Sequence, residues 1–220
     1  MTLTRIDCAV LSHVIGFCDT IKHLDLENCI IQCEGIQRLG PGLHKCLELG
    51  LGDNDLGDSG VKMVSEALRI PGCKIQKLWM RKVGLTDSGA EDLGSALSRN
   101  RSLTEVKLSH NVLRDSGVKL LSAALRNPEC KIQKLWLANV GLTDSGAEDL
   151  LCALNKIRSL TMLNLESNSL TDRSVPALRR LILTLPSLEW IWLVENLFSW
   201  TGMKELRSLQ EPGPGVKVQL

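Results

Sequence analysis

Residues 132–150 read IQKLWLANVGLTDSGAEDL, and residues 75–93 read IQKLWMRKVGLTDSGAEDL. The echo spans 57 residues and divides into two half-units, each fitting L-x-x-L-x-L-x-x-N-x-L. Seven such passes begin at Ile21, Cys46, Ile75, Leu103, Ile132, Leu160 and Leu188, at intervals of 25, 29, 28, 29, 28 and 28 residues. A unit of that length holds one strand and one helix, and it can bury its apolar face only against its neighbours. The expected fold is therefore an α/β solenoid, with a curved parallel sheet on the concave side and helices on the convex side.

Each unit explains itself locally. Leu135 and Leu137 flank Trp136, the period-two pattern of a strand with one buried face. Asn54, Asn111, Asn168 and Asn196 stand where the chain leaves the strand, where an amide can serve backbone groups that no ladder reaches. The D-S-G triplets at Asp58, Asp87, Asp115 and Asp144 read as helix N-caps. Ser88 with Glu91, and Ser145 with Glu148, fit a capping box. Val61, Val64, Ala67 and Leu68, and likewise Val118, Leu121, Ala124 and Leu125, give each helix a core-facing stripe, and Pro71 and Pro128 end the helices. Residues 1–220 read as one domain of about seven repeats, with an incomplete first repeat at 1–20 and a capping segment at 199–220. Pro41 predicts an irregular helix in the short first interval, from Ile21 to Cys46. A stack that opens in mid-repeat exposes an apolar flank, here Leu11, Val14, Ile15, Ile21 and Leu24, and self-association through that flank or fraying from that end is expected.

Composition narrows the function classes. A net charge of +1 gives no basic field for nucleic acid, and no apolar run is long enough for a membrane helix. The opening residues carry Arg5, Asp7 and His13 and lack the profile of a signal peptide. Cys73 and Cys130 recur at one register among eight cysteines, so they read as buried free thiols in a reduced, cytoplasmic chain. No metal or cofactor motif is present. GLGDNDLG at Gly50 has no lysine to meet a phosphate and falls on a strand and turn of the repeat. The histidines, His13, His23, His44 and His110, fall at unrelated registers, with His23 and His110 at the solvated strand surface. The lone sequon at Asn100 has no role in a cytosolic chain, and the acidic pairs Glu91–Asp92 and Glu148–Asp149 read as solvated helix faces. Nothing supplies a nucleophile, a base and a pocket together, so a non-enzymatic protein is expected.

The units LWLANVGLTDSGAEDL and LSHNVLRDSGVKLLSAAL resemble ribonuclease-inhibitor-type leucine-rich repeats. More narrowly, with DCAVLSHVI at Asp7, IKHLDLENC at Ile21 and GMKELRSLQ at Gly202, the chain resembles the repeats of NOD-like receptors of the NACHT, leucine-rich-repeat and pyrin-domain family. Three departures stand out. Val83 and Val140 replace the family's Cys or Asn, so those turns are expected to lose a side-chain hydrogen bond; Pro41 sits in a helix; and only repeats are present, which implies a truncated member or an excerpt of a longer receptor. The resemblance implies a sensing or autoinhibitory region of an inflammasome-type receptor of innate immunity, contacting protein partners or the receptor's own nucleotide-binding module. The alternative is a freestanding clamp like ribonuclease inhibitor, whose basic target demands a strongly acidic concave face. Here that face mixes Asp25, Glu27, Glu105, Glu166, Glu189 and Glu195 with Lys77, Arg81, Lys82, Lys107 and Lys134.

The candidate contact residues lie in one column. Position five of successive strands points away from the core and reads Asp25, Gly50, Trp79, Lys107, Trp136, Asn164 and Trp192, with Trp190 beside the last. Trp79, Lys107, Trp136, Trp190 and Trp192, with Glu105 and Glu166, form the expected partner-binding surface, because solvent-facing Trp is enriched at interface hot spots. The competing reading makes the tryptophans space-fillers on a tightly curved sheet.

Overall fold

The computed structural model describes residues 2–210 and 215–220. Eight strands form one sheet in sequence order, all parallel: β1 Ile21–Asp25, β2 Cys46–Gly50, β3 Lys77–Trp79, β4 Glu105–Lys107, β5 Lys134–Trp136, β6 Met162–Asn164, β7 Trp190–Trp192 and β8 Lys217–Gln219. Helices α1 Arg5–Gly16, α2 Cys33–Leu43, α3 Gly57–Arg69, α4 Ala90–Arg99, α5 Arg114–Leu125, α6 Asp144–Leu154, α7 Val175–Thr184 and α8 Trp200–Ser208 line the other side. This is the leucine-rich repeat solenoid that the period predicts. The inward strand residues Leu49, Leu78, Val106, Leu135, Leu163 and Ile191 stack into a continuous core with the helix stripes, including Val64, Leu93, Leu121, Leu150 and Leu178. Each buried branched side chain contributes about 1.5–3 kcal/mol. Strand β8 lies outside the repeat pattern, because VKVQ alternates with no leucine frame around it.

Two ladders of side chains weld one unit to the next. Asn111 Oδ1 accepts from the backbone N–H of Val83 and of Leu85, both at 3.1 Å, while its Nδ2 donates to the carbonyls of Met80 and Leu108 at 2.8 Å. Asn168 repeats this toward Val140, Leu142, Leu137 and Leu165. The valine turns therefore keep their N–H groups bonded. The amide comes from the following unit, and Val83 and Val140 themselves fill apolar space as fully buried residues.

The second ladder corrects the capping expectation. Helix α3 begins one residue before Asp58, and α4 begins at Ala90, neither with a side-chain cap. Asp58 instead reaches forward, accepting from the Thr86 N–H at 2.8 Å and the Thr86 hydroxyl at 2.7 Å. Asp115 does the same for Thr143, Asp144 for Thr171, and Asp172 for Ser199. The threonine or serine then serves as cap, as Thr143 does for α6 and Ser199 for α8. Neither Ser88 nor Ser145 caps a helix. The glycine of the triplet makes room for the aspartate one unit earlier, since a Cβ on Gly146 would lie 2.5 Å from Asp115 Oδ1.

Two further expectations change at the N-terminal end. Helix α2 runs on through Pro41 to Leu43, so the proline deprives the Gln37 carbonyl of its i+4 donor without ending the helix. Helix α1 buries Ile15 and partly covers Leu11, Ile21 and Leu24. The stripe it leaves to solvent is Ile6, Val10, Val14 and Phe17.

Candidate protein-interaction surface

The strand register brings the position-five side chains into one row: Asp25, Gly50, Trp79, Lys107, Trp136, Asn164, Trp192 and, from the added strand, Gln219. Lys107 stands between two indoles, its Nζ 4.6 Å from the Trp79 ring centre and 5.5 Å from that of Trp136. Both distances lie within cation–π range. Farther along, Trp136 and Trp192 stack at 5.3 Å, and Trp192 stacks on Trp190 at 5.5 Å with planes only 10° apart. Lys217 of β8 closes the row, with its Nζ 4.3 Å from the Trp190 ring. All four tryptophans are half-buried, three of them stacked and Trp79 joined to them through Lys107, so the row is a preformed aromatic shelf rather than a set of free side chains. Asn164, beneath the stack, is buried and accepts from the Glu166 N–H.

The two carboxylates of the expected surface differ. Glu105 is buried and already engaged: its Oε1 accepts from the Trp79 indole N–H at 3.1 Å and lies 3.5 Å from Lys107 Nζ, while Oε2 lies 3.9 Å from Lys134. It positions Trp79 and Lys107 rather than meeting solvent. Glu166 is half-buried beside the shelf, and among the described residues its carboxylate has no partner.

The N-terminal half of the face is an ion-paired cluster. His23 Nδ1 lies 3.1 Å from Glu48, and its ring meets Trp79 edge-on at 5.7 Å. It is thus held in place rather than freely solvated. Glu48 also accepts from Lys77 at 2.6 Å, and these bonds hold its carboxyl below the usual carboxylate range. Arg81 pairs with Asp53 at 2.7 Å. Burial, with Asp25 nearby, pushes Glu27 upward.

Sequence reasoning missed three features. At position eight of every unit the backbone is left-handed, at Asn28, Asp53, Lys82, His110, Asn139, Ser167 and Glu195. The side chains there pair along the rim, His110 with Asn139 and Ser167 with Glu195. Lys217 escaped notice with its strand. Trp200, 70% exposed beside the exposed Leu197, stands where the earlier units carry the bridging aspartate, and that register break was readable.

No activated chemistry accompanies the surface. All eight cysteines are free. Burial pushes Cys46 up to about 11 and raises Cys8, Cys73 and Cys130 as well, which suppresses thiolate chemistry. Cys73 and Cys130 are half-buried against the core rather than sealed inside it. Among the described residues no group of three His, Cys, Asp or Glu side chains could hold a metal, and no helix is long and apolar enough to cross a membrane.

Models of the leucine-rich repeat match residues 45–65, 99–122 and 159–181. The chain belongs to the leucine-rich repeat family. This repeat chain is similar to NACHT, LRR and PYD domains-containing protein 3 of Mus musculus, 39% identical over 70% of the chain and 15% of the relative. NACHT, LRR and PYD domains-containing protein 14 of Mus musculus is 36% identical over 79% of the chain and 18% of the relative. Ribonuclease inhibitor of Mus musculus is 35% identical over 84% of the chain and 42% of the inhibitor. The chain thus spans less than half the length of each of these relatives. Among solved structures, leiomodin-1 actin-binding site 2 superposes with a TM-score of 0.53 over 61% of this chain and 79% of that one, at 18% identity, which speaks for the fold alone.

Proposed function

We propose that this repeat chain is a non-enzymatic recognition module, acting in the cytoplasm as the sensing or autoinhibitory region of an inflammasome-type receptor. Its concave face takes a protein partner or the receptor's own nucleotide-binding module. The observation that carries the reading is the Trp136–Trp192–Trp190 stack, closed at either end by Lys107 and Lys217. Rings already fixed by stacking lose little freedom on docking, which is the ordinary advantage of a preorganised surface. Glu166 beside them offers an unpaired acceptor. Mixed charge along the face supports this reading over a clamp for a basic enzyme, which needs a uniformly acidic lining.

The test is calorimetric titration of the chain with the nucleotide-binding module of a NACHT, LRR and PYD domains-containing relative. Trp192→Ala removes the middle ring and is expected to weaken binding by a hot-spot-sized 2 kcal/mol or so. Unchanged affinity in Trp192→Ala and in Glu166→Lys would move the contact off the concave face.

A further inference from the structure

The two rims of the solenoid, at opposite ends of the strands, carry opposite charge. The loops that follow β4, β5 and β6, residues 109–115, 138–144 and 166–172, hold four carboxylates, Asp115, Asp144, Glu166 and Asp172, with Arg114 the only Lys or Arg. The loops that precede the same strands, residues 98–104, 126–133 and 155–161, hold six cations against the single carboxylate of Glu129.

The excess is written into the repeat. RNRSL at 99–103 and KIRSL at 156–160 put Arg99 and Lys156 at one register and Arg101 and Arg158 at another, and Lys131 stands in the loop between them. The alternate units carry Pro71 with Cys73, and Pro128 with Cys130, at those two registers. All five cations are exposed.

Helix capping and ion pairing do not absorb this charge. A basic residue at a helix C-terminus ordinarily answers the partial negative charge there. Arg101 does so in part, its Nη1 donating to the carbonyls of Ser98 at 3.0 Å and Asn100 at 3.4 Å, and Arg126 faces Asp149 at 3.6 Å. The side chains of Arg99, Lys131, Lys156 and Arg158 have no hydrogen bond or ion pair among the described residues. Allowing Glu129, Asp149 and about half a negative charge for each end of α4, α5 and α6, the rim stays positive.

Its shape matters as much as its sign. Strands β4, β5 and β6 pair without offset, Glu105 opposite Lys134 and Lys134 opposite Met162. The loops entering them therefore end at one height along the strand direction. Neighbouring strands lie about 4.8 Å apart, which sets Arg101 and Arg158 about 10 Å apart at the sheet, with Lys131 between them. The row is flat. Beside it, the last turn of α7 and the loop before β7 expose Leu183 and Pro186. A level row of cations from successive units, ending in an exposed leucine, can meet a flat anionic surface at every loop at once. The acidic opposite rim turns the molecule the same way, because a polarised charge distribution orients a protein in an external field.

We propose that the rim formed by residues 98–104, 126–133 and 155–161 docks the repeat chain edge-on onto an anionic lipid surface, lying on the bilayer rather than spanning it. Guanidinium and ammonium groups there meet headgroup phosphates and carboxylates.

Flotation of the chain with vesicles of phosphatidylcholine plus phosphatidylserine, and with vesicles of phosphatidylcholine alone, tests the assignment. Retention is expected on the anionic vesicles only, falling as salt rises. Lys131→Gln, Lys156→Gln and Arg158→Gln together are expected to weaken it about a hundredfold, since each cation near an anionic leaflet is worth roughly a fivefold change. None of the three side chains makes an internal contact, so the unfolding midpoint should hold. Removing as many cations elsewhere, in Lys62→Gln with Arg173→Gln and Arg180→Gln, should cost far less, and Trp192→Ala, which tests the concave site, should cost nothing. Equal retention on phosphatidylcholine alone would assign the contact to the apolar stripe of α1, and equal losses in the two triple variants would reduce it to net charge; either result overturns the proposal. Tighter binding to poly-glutamate or to duplex DNA than to the anionic vesicles, lost in the same rim variant, would give the rim to a protein or a nucleic acid and overturn it as well.

Discussion

Trp136 and Trp192 stack across the strand between them, with ring centres 5.3 Å apart and planes inclined by 24°. Trp136 Nε1 is buried and, among the described residues, without a hydrogen-bond partner. The stack therefore gains aromatic packing and cation–π attraction at the expense of an orphaned donor. Stacked pairs contribute about 0.5–1.5 kcal/mol beyond area burial. A double-mutant cycle on Trp136→Ala and Trp192→Ala is expected to give a coupling of about 1 kcal/mol, read from urea denaturation, and the exciton signature of paired indoles in circular dichroism should vanish in Trp192→Ala but only weaken in Trp136→Ala, where Trp190 and Trp192 still stack. Additive single effects would mean that the rings merely share a surface.

The asparagine ladder carries more. Asn111→Leu leaves the Val83 and Leu85 N–H groups and the Met80 and Leu108 carbonyls without their side-chain partner in a sealed turn. A buried polar group left unmatched costs about 1–3 kcal/mol, and four are affected, so a loss of at least about 3 kcal/mol is expected. Asn196 occupies the same register near the end of the stack but is half-buried, serving one N–H and the Leu165 and Leu193 carbonyls. Asn196→Leu should cost less, because water can reach part of what it leaves unmatched. Equal losses in equilibrium unfolding would contradict the ladder account.

The repeat was legible because its leucines recur in a frame that only stacking satisfies, and the tryptophan column followed from that frame with its register intact. What stayed hidden depends on side chains meeting across units. Asp58 and its copies look like helix caps when read along the chain, since the local triplet is the same whether the carboxylate bends back or reaches forward. Only the neighbouring unit, bringing Thr86 within 2.8 Å of Asp58, decides between them. Glu105 likewise reads as a surface acid, because alternation places it outward, yet Trp79 and Lys107 fold over it. Strand β8 carries no frame to be read at all.

The triplet glycine gives a test of the forward-reaching aspartates. A Cβ on Gly146 would lie 2.5 Å from Asp115 Oδ1 and 2.7 Å from Leu142 Cδ1. Gly146→Ala must therefore push two units apart, and overpacking of this kind costs about 1–3 kcal/mol. Gly40, inside α2, has nothing within 4 Å of the same construction. Gly40→Ala should raise stability by about 0.5–1 kcal/mol through helix propensity. Opposite signs in thermal unfolding are the expected outcome, and destabilisation by both would point to helix geometry rather than the seam.

The exposed stripe of α1 bears on how the chain behaves in solution. Ile6, Val10, Val14 and Phe17 are 75, 60, 52 and 80% exposed, and their spacing puts them on one side of the helix. Every helix from α2 to α7 packs against a neighbour on both sides, so α1 presents an apolar face of the kind that the rest of the stack covers. Isolated exposed hydrophobics are ordinary, but a continuous patch marks an interaction surface. The chain alone is expected to self-associate through this face as its concentration rises in sedimentation experiments. Val10→Lys with Val14→Lys places two charges in the patch without touching the buried Cys8 or Ile15, and should leave a monomer with an unchanged unfolding midpoint. A double variant that still associates to the same extent would place the contact elsewhere, with the exposed Leu197 and Trp200 at the other end of the stack next to be substituted.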